Sequence, residues 1–106
     1  MYSMLYATAA SENEAAGIAK HLLRKRLIAC ANIYRIRSLF RWNGKVHDEG
    51  EFALIMKTKT ALVKKAIAEA AKIHSYGVPC IVSYRMGDGL PSYLKWIASE
   101  TRQSKK

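Results

Sequence analysis

Cys30, His74 and Cys80 are the side chains of this 106-residue chain best suited to hold a soft metal ion. Thiolate and imidazole suit copper and zinc. Their spacing matches no zinc motif, and a closed zinc site takes about four ligands. Each cysteine therefore also reads as a small buried hydrophobe, and His74 as a loop residue bonded to backbone. Asp48, Glu49 and Glu51 form the one acidic cluster. It could hold a hard cation through oxygen, with Glu51 as a further candidate ligand. Alternatively it is a solvated hairpin end that neutralises Lys45 or Arg41. His21 and His47 read as surface residues, one in a basic helix and the other beside a turn.

No catalytic set accompanies these residues. Ser11, Ser38 and Ser83 lack the context of a nucleophile elbow. There is no phosphate-loop glycine pattern and no His-Glu-x-x-His. The expectation is a protein that is not an enzyme.

Composition narrows the classes further. Eighteen Lys and Arg against eight Asp and Glu give a formal charge of +10. The positive residues are spread along the whole chain, which is weaker evidence for a binding face than a cluster. No run of eighteen apolar residues could form a membrane-spanning helix. Met1 to Ala10 does not read as a signal peptide, so a cytoplasmic location is expected. Two cysteines are too few for a disulfide framework and are expected as free thiols.

The elements that must position these residues follow from periodicity and turn chemistry. Tyr2 to Thr8 reads as a buried strand. Ser11 with Glu14 fits a capping box, and Ala15, Ile18, Ala19, Leu22 and Leu23 then form one apolar helical face. Cys30 to Trp42 is a second strand. Ile36, Ser38, Phe40 and Trp42 share one side of it and Arg35, Arg37 and Arg41 the other. The pattern slips between Ile33 and Ile36, which suggests a bulge or bend. Asn43-Gly44 is a type I′ hairpin signal, followed by a third strand from about Val46 to Thr58. Thr58 or Thr60 can cap a second helix bearing Leu62, Val63, Ala66, Ile67, Ala70 and Ile73. After the loop from His74 to Pro79, Cys80 to Arg85 is a fourth strand. Pro91 opens a last helix through about Thr101, and 102–106 reads as a frayed tail.

The order βαββαβ with an additional C-terminal helix predicts a single α+β domain over 1–106. Its expected form is a ferredoxin-like sandwich with an antiparallel sheet and both long helices on one face. The other face, and the long hairpin bearing Phe40 and Trp42, must meet something apolar. Self-association through hairpin edges would satisfy this.

Several segments resemble the CutA divalent-cation-tolerance family. They are Ala29-Cys30-Ala31-Asn32, the hairpin Ser38-Leu-Phe-Arg-Trp42-Asn-Gly44-Lys45, Ile55-Met-Lys57-Thr58, His74-Ser-Tyr76-Gly-Val78-Pro79 and Tyr93-Leu94-Lys95-Trp96. These matches are collinear and cover nearly all of the chain. The resemblance implies a homotrimer whose hairpin strands continue sheets between neighbours, and a link to copper and other divalent cations, none of them obligatory. Ser75, Gly77 and Cys80 depart from the family's proline, glutamate and acidic residue, and Cys80 could supply a softer ligand in exchange.

Phe40, Trp42, Tyr76 and Tyr93 are expected as interface anchors or cleft walls, with Gly44 in the joining ribbon. Lys57 is expected in a cleft between subunits or snorkelling at its strand end, and Trp96 in packing beneath the last helix. Two other functions compete with metal binding. One is a signalling trimer for a small ligand, like the PII proteins. The other is an RNA-binding module, disfavoured because the third strand lacks the basic and second aromatic residue of a stacking platform.

Overall fold

The first helix starts where Ser11, extended at φ −144°, accepts the backbone amide of Glu14 at 3.1 Å. That bond satisfies one of the amides a helix start leaves without a partner. In this computed structural model, which describes residues 1–103, the chain runs β1 (Tyr2–Ala9), α1 (Glu12–Arg24), β2 (Cys30–Trp42), β3 (Lys45–Lys59), a 3₁₀ turn (Thr60–Leu62), α2 (Val63–Ile73), β4 (Ile81–Arg85) and α3 (Pro91–Glu100). The four strands form one antiparallel sheet in the order β2-β3-β1-β4. This is the ferredoxin-like arrangement that the element order predicted.

Register decides which residues meet the helices. Leu5 lies opposite Met56, Ala7 opposite Leu54, and Ile33 opposite Leu54. Directly opposed residues share a face. That face packs against Ala15, Ile18 and Leu22 of α1 and Ala66 and Ala70 of α2 to form the core. The remaining face carries Tyr6, Tyr34, Ile36, Phe40, Trp42, Glu51, Val82 and Tyr84.

Several expectations need correction. The β2–β3 ladder runs without interruption from Cys30–Lys57 to Trp42–Lys45, so no bulge separates Ile33 from Ile36. The apparent slip arises because Ile33 packs toward the helices while Ile36 points to the other side; the strand is apolar on each face in turn. Neither Thr58 nor Thr60 caps α2, which has no side-chain cap. Thr58 is buried and donates its hydroxyl to the Leu27 carbonyl at 2.7 Å. That carbonyl would otherwise be an unpaired buried acceptor. Thr60 shares its hydroxyl with Ser3 at 2.7 Å. Leu23 and Ile73 fall off the apolar stripes of their helices and stand exposed.

Asn43 and Gly44 take positive φ values of 53° and 75°, as the hairpin turn requires. Arg26 also adopts a left-handed φ of 56°. The Leu27 amide reaches back to the Leu22 carbonyl and the Arg26 amide to that of Leu23, both at 3.0 Å. This is a Schellman closure with Arg26 where glycine is usual. Arg26 also holds the C-terminal helix, donating from its guanidinium to the Ser99 carbonyl at 3.1 Å and accepting the Arg102 amide at 2.9 Å. Residue 102 is thus tied down rather than frayed; the rest of the expected tail lies, from 104 onward, outside the described residues.

Two carboxylates brace the helices. Glu14 accepts the Ser75 amide at 2.7 Å, the Ser75 hydroxyl at 3.0 Å and the Ala10 amide at 3.3 Å. Burial opposes its ionisation, but the bonds from Ser75 and Ala10 outweigh that and hold it below its ordinary 4.5. Glu69 accepts from His21 at 2.9 Å and from Lys72 at 3.0 Å, which hold it at about 2. His21 is therefore an interhelical partner, not a free surface residue.

Leu54→Ala should cost about 2–5 kcal/mol of stability by denaturant unfolding, because it opens a cavity at the centre of the core. Acid dependence is set by the two lowered carboxylates. Their stabilisation is fully present above 4.5 and is lost as pH falls through their folded values, near 2 for Glu69. Urea midpoints should fall between pH 5 and pH 2, with a shallower fall when Glu14→Gln and Glu69→Gln are combined.

Candidate functional site

The loop after α2 is fixed by one imidazole. His74 has a fully buried side chain. Its Nε2 lies 2.7 Å from the Thr8 carbonyl oxygen and its Nδ1 accepts the Tyr76 amide at 3.1 Å. A carbonyl can only accept, so Nε2 carries the proton and Nδ1 the lone pair. Glu14, at 3.6 Å from Nδ1, closes the other side. The sequence reading of His74 as a loop residue bonded to backbone describes this geometry. Both ring nitrogens are already engaged.

This anchor carries Tyr76 across the sheet edge. The Tyr76 hydroxyl donates to Glu51 Oε2 at 2.7 Å, and its ring packs against His74 with centroids 4.8 Å apart. Glu51 is 7% exposed and no Lys, Arg or His lies within salt-bridge distance among the described residues. The expectation of a solvated acidic cluster fails here. Asp48 does not neutralise Lys45 or Arg41 either. It binds Arg37 in a fork of 2.9 and 2.7 Å, which holds its carboxyl below the ordinary range and pushes the guanidinium up. Gly50, opposite Arg37, has no side chain to obstruct that diagonal pair. Glu49 lies 3.4 Å from His47, and His47 stacks on Phe40 at 5.2 Å.

Together these residues frame a groove of about 820 Å³ on the sheet face opposite the helices. Tyr6 and Thr8 of β1 and Ile36, Phe40 and Trp42 of β2 line it, with Glu49 and Glu51 of β3. Tyr76, Gly77, Val78 and Cys80 of the loop form its rim. Burial, and then Glu51, push the Cys80 thiol up, so it stays protonated near neutral pH. Burial followed by the Glu51 bond pushes Tyr76 up as well.

The metal candidates do not gather. Among the described residues no three His, Cys, Asp or Glu side chains come together as a set that could hold an ion. Cys30 heads β2 at one sheet edge and Cys80 precedes β4 at the other, about 14 Å across by strand spacing alone. Cys30 instead lies 3.5 Å from the Tyr93 hydroxyl, which pushes Tyr93 up to about 12. Only Cys80 and Glu51 share the groove. Both cysteines are free thiols; Cys80 is exposed and Cys30 partly buried, so neither is a core hydrophobe. Lys57, opposite Cys30, donates to Asn32 at 3.1 Å. Gly44 stays in the exposed turn. Trp96 does not pack beneath its helix: it stacks on Tyr93 at 5.6 Å and is 40% exposed.

Sequence reasoning missed Glu14, Tyr6, Thr8 and Ile36 as parts of the site. Glu14 carried a signal only as a cap; its second role depends on a residue 61 positions away. The strand residues carried none beyond alternation.

A family model described as CutA1 divalent ion tolerance protein matches residues 3–100. A divalent-cation tolerance protein CutA of Archaeoglobus fulgidus is 43% identical over 97 residues, covering 92% of this chain and 95% of the relative. Its counterpart in Pyrococcus horikoshii is 34% identical, covering 94% and 98%. A solved structure of the A. fulgidus protein, described there as periplasmic, superposes with a TM-score of 0.93 at 42% identity, covering 94% of this chain and 98% of that one. CutA1 from Oryza sativa superposes at 0.94 with 30% identity, covering 97% and 95%. With the ferredoxin-like sheet, its long hairpin and the His74 loop all in place, the chain belongs to the CutA1 divalent ion tolerance protein family.

Proposed function

We propose that this chain acts as a homotrimeric divalent-cation tolerance protein that binds or responds to copper and related ions without catalysing a reaction. The observation that carries the reading is the uncovered sheet face. Tyr34, Val82 and Tyr84 stand 45%, 42% and 57% exposed there, and Phe40 and Trp42 extend the apolar surface along the hairpin. Contiguous apolar surface of this kind is buried by association. Joining through hairpin edges would also use the unpaired backbone of β2, an outer strand of the sheet.

The donors of one subunit do not fit a closed metal site, because His74 is fully bonded and Cys30 and Cys80 lie at opposite edges. Cys80 and Glu51 offer one soft and one hard donor, and further ligands would come from a neighbouring copy. This reading places the protein in the cytosol, where both free thiols stay reduced. The groove favours a second role, a small-ligand signalling trimer, since its volume suits a compact molecule.

Sedimentation of the wild type should give three times the 11.9 kDa subunit mass with or without copper. Equilibrium dialysis should show Cu²⁺ uptake that falls for Cys80→Ser. A stable monomer at micromolar concentration would remove the assembly, and a trimer that takes up no Cu²⁺ would remove direct metal binding.

A further inference from the structure

The cations of this chain are dispersed in sequence, but the fold gathers a third of them on the helix layer. Lys20, Arg24 and Lys25 of α1 and Lys64, Lys65 and Lys72 of α2 are six of the 18 Lys and Arg, and all six are exposed. The two helices lie side by side over the core. Glu69 of α2 fixes their contact, since its Oε1 lies 2.9 Å from His21 and 3.9 Å from Lys25 of α1. Periodicity sets what each helix turns outward. Ala15, Ile18, Ala19 and Leu22 are buried beneath α1, so Asn13, Gly17, Lys20 and Arg24 lie on its opposite side. Ala66 and Ala70 are buried beneath α2, so Lys64, Ala68 and Ala71 lie opposite. Lys65 and Lys72 share the stripe of Glu69 along the side toward α1.

Acid offsets little of this charge. Glu69 already takes His21 and Lys72, and Glu14 is turned to the loop at Ser75. Glu12 is the one other acid of these helices. Among the described residues, Lys20, Arg24, Lys64 and Lys65 have no carboxylate within salt-bridge distance. Such a surface attracts polyanions. Neither helix carries Phe, Tyr or Trp. Unpaired bases would find nothing to stack on, and a lipid interface would find no aromatic anchor. Gly17, Ala68 and Ala71 keep the surface low between the cations, which leaves the long basic side chains as its points of contact. The 13 residues of α1 span about 20 Å, a length along which a duplex carries about twelve charges.

We propose that the outer face of α1 and α2 docks on the phosphate backbone of duplex nucleic acid without reading its bases. The stacking platform that β3 lacks is not needed for this contact. The face lies on the opposite side of the sheet from the surface assigned to self-association, so a trimer would present it three times. The proposal is independent of copper uptake.

Fluorescence anisotropy of the wild-type protein with a labelled DNA duplex of two helical turns tests it. Binding should be saturable at low salt and should weaken by about 10²–10³-fold between about 50 and about 200 mM salt, as expected for four to six phosphate contacts. Lys20→Gln, Arg24→Gln and Lys64→Gln combined should weaken binding by about tenfold or more and flatten the logarithmic salt slope by about 3. Gln keeps helix propensity at these exposed positions, so the fold should be retained. A matched triple, Arg85→Gln, Lys95→Gln and Arg102→Gln, removes the same charge away from α1 and α2 and should change the affinity by less than about threefold. Equal losses in the two triples would overturn the proposal, because net charge alone would then account for binding. So would an absence of duplex binding at low salt, and capture by phosphatidylserine vesicles in that case would assign the face to a membrane.

Discussion

The His74 imidazole connects three parts of the molecule that are far apart in sequence. Its Nε2–H meets the carbonyl of Thr8 at the end of β1, its Nδ1 receives the amide of Tyr76, and Glu14 from the start of α1 lies against it. The imidazole itself is fully buried, so leaving either ring nitrogen without its partner would cost more than the bond itself returns. The loop consequently has one position relative to the sheet. Tyr76 is carried over the sheet edge to Glu51, and Cys80 is set at the groove rim. Without this anchor the sheet face opposite the helices would be a plain apolar surface. With it, part of the face becomes a walled groove, while Tyr34, Val82 and Tyr84 stand exposed outside it.

That division gives one sheet face two kinds of surface. Exposed apolar surface favours contact with another protein surface, while a groove favours a compact partner. The distribution of charge sharpens the difference. The molecule is strongly basic overall, yet the groove holds Glu49 and Glu51 and keeps its thiol and phenols neutral.

Much of the fold was legible because local and global signals agree. The Ser11 cap, the Asn43-Gly44 turn and the alternation of β2 each follow from a few residues, and each is where the sequence placed it. Errors arose where a residue serves a distant partner. Thr58 looks like a helix cap but is needed at the Leu27 carbonyl, and Ile33 and Ile36 look out of register only because both faces of β2 are apolar. The site was less legible. Cys30, His74 and Cys80 attract notice by residue type, yet type says nothing about whether a side chain is already engaged or which sheet edge it occupies. Glu51 was visible as an acid, but its burial depends on the loop placing Tyr76 above it.

The tautomer of His74 tests the anchor most directly. Long-range ¹H–¹⁵N correlation of the imidazole at neutral pH should show a single ring, protonated at Nε2, with a slowly exchanging proton bonded to the Thr8 carbonyl. A ring protonated at Nδ1, or one averaging between tautomers in fast exchange with solvent, would contradict the account.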